Sequence, residues 1–191
     1  MGTLKVVAFN GSPRKNGNTS QMVEVVLAEL RNEGIEAREI GIGGHRLRGC
    51  IACGQCHAKK LEHCIFDDDP VNEWIGVMKE ADGVILASPT YFANLTTEMK
   101  AFIDRAGFSC MHLLRRKVGA PVVVARRGGA MQVYNTLMAF FGITQMIVPG
   151  SSYWNMGYGL MPGDVQKDSE ALETMKNLGI NMAWLLKKIH A

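Results

Sequence analysis

Five times along this chain an apolar run of strand length gives way to a stretch with helical spacing, and that alternation leaves few folds open. The spacing predicts strands over residues 4–9, 36–40, 82–88, 121–125 and 143–148. It predicts helices over 20–32, from 69–70 onward, and over 95–105, 131–141 and 169–190. Gly83-Val84-Ile85-Leu86-Ala87 and Pro121-Val122-Val123-Val124-Ala125 are almost wholly apolar, as strands covered on both faces are. Parallel strands joined through helices cross over right-handed. The expected fold class is therefore α/β, a doubly wound five-stranded parallel sheet with helices on both faces. The 191 residues fit a single domain over 1–191, with a cysteine-bearing insertion at about 41–69.

The first strand runs into Asn10-Gly11-Ser12-Pro13-Arg14-Lys15-Asn16-Gly17-Asn18-Thr19-Ser20 and then a helix. Such a loop can turn backbone N–H groups and hydroxyls toward one point at low steric cost. The helix presents unpaired N–H groups and a positive dipole end to the same point. Thr19 or Ser20 is a natural N-cap. We read the stretch as a phosphate cradle. It is not a P-loop, because Gly11 and Gly17 are separated by five residues and followed by Asn18-Thr19 instead of Lys-Ser/Thr. G-x-G-x-x-G fails too, since no second glycine comes before Gly17. A mononucleotide fits better, with an ordinary strand-to-helix turn as the plain alternative.

With 21 basic against 18 acidic residues the formal charge is +3, too balanced to point to nucleic acid or a membrane surface. Arg46, Arg48, Arg115, Arg116, Lys117, Arg126 and Arg127 cluster as pairs and triplets, which anionic small molecules suffice to explain. No apolar run approaches the roughly 20 residues that span a bilayer. Met1-Gly2-Thr3-Leu4-Lys5 enters the first strand directly, leaving no room for a signal peptide, so a cytoplasmic protein is expected. Thiols stay reduced there. Five cysteines, four of them between Cys50 and Cys64, then argue for a metal or redox role over disulfides.

Open parallel sheets bind ligands outside the carboxyl ends of their strands, at the switch in strand order. Three loops qualify: residues 10–19, 89–94 and 126–129. Side by side, the first would hold phosphate, the second would offer the flat face of Tyr91, and the third would add two cations and glycines for close approach. A phosphorylated aromatic ring system needs those parts.

Asn10 to Ser20, Ser88-Pro89-Thr90-Tyr91-Phe92 and Gly128-Gly129 together resemble the NADPH-dependent FMN reductase family of flavodoxin-like proteins. Cys50-Ile51-Ala52-Cys53-Gly54-Gln55-Cys56, followed by Cys64, resembles the compact motif of its iron-sulfur flavoprotein subgroup, although the spacing to Cys64 is longer than usual there. The resemblance implies sheet order 2-1-3-4-5, bound FMN and NAD(P)H as electron donor. It places Ser12, Arg14, Asn18, Thr19 and Ser20 around the FMN phosphate. Pro89, Thr90, Tyr91 and Phe92 would lie beside the ribityl chain and isoalloxazine, with Gly128 and Gly129 at the pyrimidine edge. A cation such as Arg127 near that edge would raise the flavin potential. It also makes a homo-oligomer plausible, because flavin sites of this family often lie near subunit contacts.

A C-x2-C-x2-C run sets three thiolates in one short loop, which suits three corners of a 4Fe-4S cube better than paired zinc knuckles. Cys64 would supply the fourth corner. A zinc site, and reduced thiols holding no metal, stay open as alternatives. Cys110 reads as a core or near-surface thiol. Asp67, Asp68 and Asp69 read as a helix start before Pro70 rather than as metal ligands.

His45, His57, His112 and His190 read as surface residues without a catalytic role. Tyr153, Trp154, Met156 and Tyr158 form a stretch that could cover a flavin, make a subunit contact or anchor a loop. Met182, Trp184, Leu185, Leu186 and Ile189 read as the apolar face of the last helix. The resulting expectation is an FMN-dependent oxidoreductase that serves a small-molecule electron acceptor or a redox protein. One rival is an FMN/4Fe-4S electron-transfer protein with no nicotinamide turnover of its own. A more distant rival is a non-redox nucleotide-binding domain, which the missing Walker lysine disfavours.

Overall fold

The computed structural model describes residues 2–191; Met1, counted above with the segment entering the first strand, lies outside the described residues. Strands β1 (Lys5–Asn10), β2 (Glu36–Gly41), β3 (Gly83–Pro89), β4 (Val118–Ala125) and β5 (Met156–Tyr158) form one parallel sheet in the order β2-β1-β3-β4-β5. This is the order that the family resemblance implies. The helices are α1 (Asn18–Asn32), α2 (Gln55–Ala58), α3 (Val71–Glu80), α4 (Thr97–Cys110), α5 (Ala130–Ile143) and α6 (Ser169–Ile189).

Successive strand residues point to opposite faces, and each face has its own core. Val7, Phe9, Val84, Leu86 and Val123 pack beneath α3, α4 and α5, while Val6, Ala8, Ile85, Ala87 and Val122 pack beneath α1 and α6. Every residue of β4 is buried, which is why that strand is apolar without alternation. Truncating a side chain such as Leu86 or Phe102, both fully buried, costs about 2–5 kcal/mol.

The fifth strand is not where the apolar run over residues 143–148 predicts it. Ile143 ends α5, and from that run only Ile147 reaches the sheet, as an isolated bridge to Val118. Pro121 supplies a physical reason. Gly119 N–H donates to the Ile147 carbonyl and Val123 N–H to that of Asn155, so the β4 edge offers its N–H groups at alternate residues. Pro121 lies midway between them and has no N–H to give. The chain leaves the sheet there and returns as β5.

Three local expectations also change. α1 begins at Asn18 with Gly17 as its N-cap and no side-chain capping bond, so neither Thr19 nor Ser20 caps it. Thr19 is already buried inside the first turn, and the Ser20 hydroxyl is drawn to Glu39. Pro70 is the N-cap of α3 rather than its first residue, with Asp69 Oδ1 accepting from Val71 N–H at 3.2 Å. Trp184 is 61% exposed although Met182 and Leu186 are fully buried, because a helix turns residue 184 away from the face that 182 and 186 share.

Candidate functional site

The carboxyl ends of β1, β3 and β4 open into a pocket of about 120 Å³. Ser12, Arg14, Asn18 and Thr19 line it from the β1–α1 side, Pro89, Thr90 and Tyr91 from β3, and Val124, Ala125 and Arg126 from β4. Gly159 and Leu160, just after β5, close the remaining side.

The loop is tied down from within. Ser12 N–H donates to Asn10 Oδ1 at 2.9 Å, and Arg14 N–H to Ser12 Oγ at 3.3 Å. Arg14 Nη1 donates to the Leu160 carbonyl at 3.0 Å. The Asn18 amide fastens the far wall, giving a hydrogen bond to the Met161 carbonyl and receiving them from the N–H groups of Gly163 and Val165. A Cβ at Gly159 would stand 2.7 Å from Asn18 Nδ2, so the wall closes this tightly only with glycine there. With no side-chain cap on α1, its first-turn N–H groups and positive dipole end are left for an anion.

The second loop is a two-residue hairpin in which Tyr91 and Asn94 exchange backbone hydrogen bonds of 2.8 and 3.0 Å. Phe92 and Ala93 at its tip take φ of 49° and 59°. Thr90 N–H donates to the Val124 carbonyl at 2.7 Å, which fixes the residue. Its side-chain Oγ1 is buried without a hydrogen-bond partner. Gly129, at φ 89°, packs so closely behind this loop that a Cβ would lie 2.9 Å from Ala93 Cα.

Of the residues singled out in sequence, Ser12, Arg14, Asn18, Thr19, Pro89, Thr90 and Tyr91 line the pocket together. Ser20 does not line it; its hydroxyl donates to both oxygens of Glu39, which also accepts from Asn10 Nδ2 at 2.9 Å. Phe92, Arg127 and Gly128 are exposed outside the lining, while Gly129 braces it from behind. Sequence reasoning missed the parts played by Glu39, Gly159 and Leu160; it counted Arg126 among the two cations of its loop but named Arg127 for the flavin edge. The glycines flanking Tyr158 were a usable signal, obscured by setting the fifth strand ahead of them.

A second pocket, of about 110 Å³, is lined by Cys50, Cys53, Cys56 and Cys64 with Phe66, Phe108 and Arg105. Left-handed backbone at Ala52 and Gly54 coils the first three cysteines around it. The longer spacing to Cys64 is taken up by α2 and a turn at Lys60, which also has positive φ. Asn72 on α3 then holds the fourth cysteine, accepting from Cys64 N–H and donating to its carbonyl, both at 2.9 Å. The thiols thus stand around a cavity. Among the described residues, no three His, Cys, Asp or Glu side chains are arranged to hold a metal ion.

Arg105 is fully buried behind that cavity. It pairs with Asp69 and donates to the carbonyls of Arg48 at 3.2 Å and Phe66 at 2.8 Å, while its Nε has no partner. Burial works against the Arg105 charge, but Asp69 and Cys64 outweigh it and raise the pKa. Burial likewise opposes the Asp69 carboxylate, yet hydrogen bonds from Arg105 and from the N–H groups of Arg48 and Val71 bring its pKa below the ordinary value. Cys110 lies apart in the core, its thiol pushed up to about 11 by burial.

Residues 4–160, which carry both pockets, match the NADPH-dependent FMN reductase family. The chain belongs to that family. An iron-sulfur flavoprotein of Methanocaldococcus jannaschii is 39% identical over 97% of this chain and 99% of its own length. One from Archaeoglobus fulgidus is 36% identical over 94% of this chain and 79% of its own. In three dimensions the FMN reductase family member described here matches an archaeal flavodoxin with a TM-score of 0.64, covering 96% of this chain and 99% of that one at 16% identity. The fold is flavodoxin-like, and membership of the family makes the protein a flavin-binding oxidoreductase. No helix among the described residues is long and apolar enough to cross a membrane.

Proposed function

We propose that this protein holds FMN in the rim pocket and a 4Fe-4S cluster in the cysteine pocket, as a single domain over residues 1–191. It would take electrons from NAD(P)H or a reduced redox protein and deliver them to a small-molecule or protein acceptor. The observation that carries the reading is the buried, unpartnered Thr90 hydroxyl, in a pocket onto which the uncapped N-terminus of α1 opens. A buried polar atom without a partner is costly, and a ligand hydroxyl or carbonyl there would remove the cost.

The α1 N–H groups, Ser12, Thr19 and Arg14 would hold the phosphate. Thr90 and Tyr91 would position the ribityl chain and ring, with Arg126 as the cation at the rim in the role first given to Arg127. Asn18 and Gly159 would keep water from the phosphate side by holding the 159–165 wall closed. Bound FMN supplies hydride and single-electron chemistry; the protein supplies binding, orientation and electrostatics.

Cys50, Cys53, Cys56 and Cys64 would each hold one corner of the cluster. Their placement around a cavity supports this, as do the cation beside Cys64 and the iron-sulfur flavoprotein relatives. The same pocket favours a second reading, an electron carrier without nicotinamide turnover of its own. The proposal extends to a cytoplasmic homo-oligomer, supported by the exposed Tyr153, Trp154 and Tyr158, the last of these adjoining Gly159 of the pocket wall.

Protein purified without air should show the two visible bands of flavin and a broad brown shoulder that dithionite bleaches. NADPH alone should bleach the flavin in a reductase, whereas bleaching only by a reduced ferredoxin-like donor identifies the carrier. A colourless protein that does not quench added FMN fluorescence would end the proposal.

A further inference from the structure

Arg105 is an expensive residue to place where it lies. A buried guanidinium loses its hydration, and a well-packed apolar side chain often serves stability equally well. Its two bonds to carbonyls span the cysteine segment, because Arg48 is two residues before Cys50 and Phe66 two residues after Cys64. One side chain on α4 thus closes the base of the loop that carries all four cysteines, with Asp69 balancing its charge. Nη1 is used twice and Nη2 once, which leaves the Nε hydrogen and one Nη2 hydrogen unbonded. The residue that carries them lines the pocket beside Cys64.

We propose that Arg105 is the positioning and potential-setting residue of the cysteine pocket, holding the two ends of the cysteine segment together and donating its free N–H to the sulfur at Cys64. The inference rests on the cluster reading above and adds a role for a residue that is not a ligand. Reduction of a cluster held there adds one electron and breaks no bond, so the negative charge facing Arg105 grows. A fixed cation and an N–H donor at a sulfur favour that state, and hydrogen bonds to sulfur are among the factors that set cluster potentials.

The test is an anaerobic, mediator-based redox titration of the holoprotein, read by electron paramagnetic resonance, with iron and acid-labile sulfide determined on each sample. Arg105→Met is made together with Asp69→Asn, so that no carboxylate is left buried without its partner, and Asp69→Asn alone is the control. At the midpoint of the Asp69→Asn control the double variant should show at least a tenfold lower ratio of reduced to oxidised cluster, equivalent to about 59 mV for one electron. Loss of iron from the double variant, with circular dichroism and flavin content unchanged, supports the clamp.

Full iron content with an unshifted midpoint overturns the proposal and leaves the cluster reading intact. A wild-type protein without iron or sulfide overturns that reading and this inference together. If the double variant does not fold, Arg105→Lys decides. It keeps the charge and loses the fork, so a smaller shift in the same direction supports the role, and no shift at full occupancy overturns it.

Discussion

Gly43 lies flat against the backbone of Ser12: a Cβ at residue 43 would fall 2.3 Å from the Ser12 carbonyl carbon, with Gly11 O and Pro13 N almost as near. The chain leaving β2 for the cysteine segment is therefore packed against the backbone of the phosphate loop. Gly43→Ala cannot be relieved by turning a side chain, since the atoms in its way are main chain. The expected cost is about 1–3 kcal/mol of stability together with weaker FMN binding. Thermal melting and FMN fluorescence titration would show it, and an unchanged melting temperature would mean that the contact is looser than described.

Thr90→Val separates ligand binding from packing by the sign of its two effects. The substitution replaces a buried, unpartnered hydroxyl with a methyl group of similar size, so the ligand-free protein should become more stable, by about 1 kcal/mol. FMN should bind roughly tenfold more weakly, the worth of one hydrogen bond. Differential scanning fluorimetry with and without FMN measures both. If the hydroxyl served only the fold, the substitution would lower stability and leave FMN affinity unchanged.

The strand-helix alternation carried most of the fold, because strands buried on both faces leave a continuous apolar signature and the helices between them a periodic one. Pro121 marks where that reading fell short. The apolar run at residues 143–148 had a plausible strand composition, but its would-be neighbour lacks the N–H that a continuous ladder needs, and that is a property of the partner strand. The phosphate loop and the residues after β3 were legible from local turn chemistry. Glu39 was not, since it acts through a contact with Ser20 that is distant in sequence; Gly159 left a signal in the glycines flanking Tyr158, but its partner Asn18 is as distant. Neighbouring arginines in a loop look alike in sequence; only the turn after β4 puts Arg126 on the pocket and Arg127 outside it.

That last distinction is itself testable. Arg126→Ala should weaken FMN binding by about 0.5–1 kcal/mol, a few-fold change, because an exposed cation acts through solvent. The loss should shrink as salt is raised. Arg127→Ala should leave affinity within twofold at every ionic strength. Titrations at low and high salt decide between them, and equal effects from the two substitutions would remove the assignment of Arg126 to the site.

The Asp69–Arg105 pair should also give the protein a specific weakness toward acid. Both side chains are almost wholly excluded from solvent, so removing one charge strands the other, at a cost on the order of 3 kcal/mol or more. The folded protein holds the Asp69 carboxyl below its ordinary pKa of 3.8, so its contribution is complete above that value. It is lost as pH falls through the lower pKa of the folded state, where the unfolded chain is already protonated. Asp69→Asn should therefore be less stable than the parent by a constant margin from neutral pH down to about pH 5, and the margin should close below about pH 4. Any acid-labile group is shed by both proteins alike, so the difference between their urea midpoints isolates this carboxylate. A margin that stayed constant down to pH 3 would mean that Asp69 acts through its hydrogen-bond geometry, which Asn reproduces in part, and not through its charge.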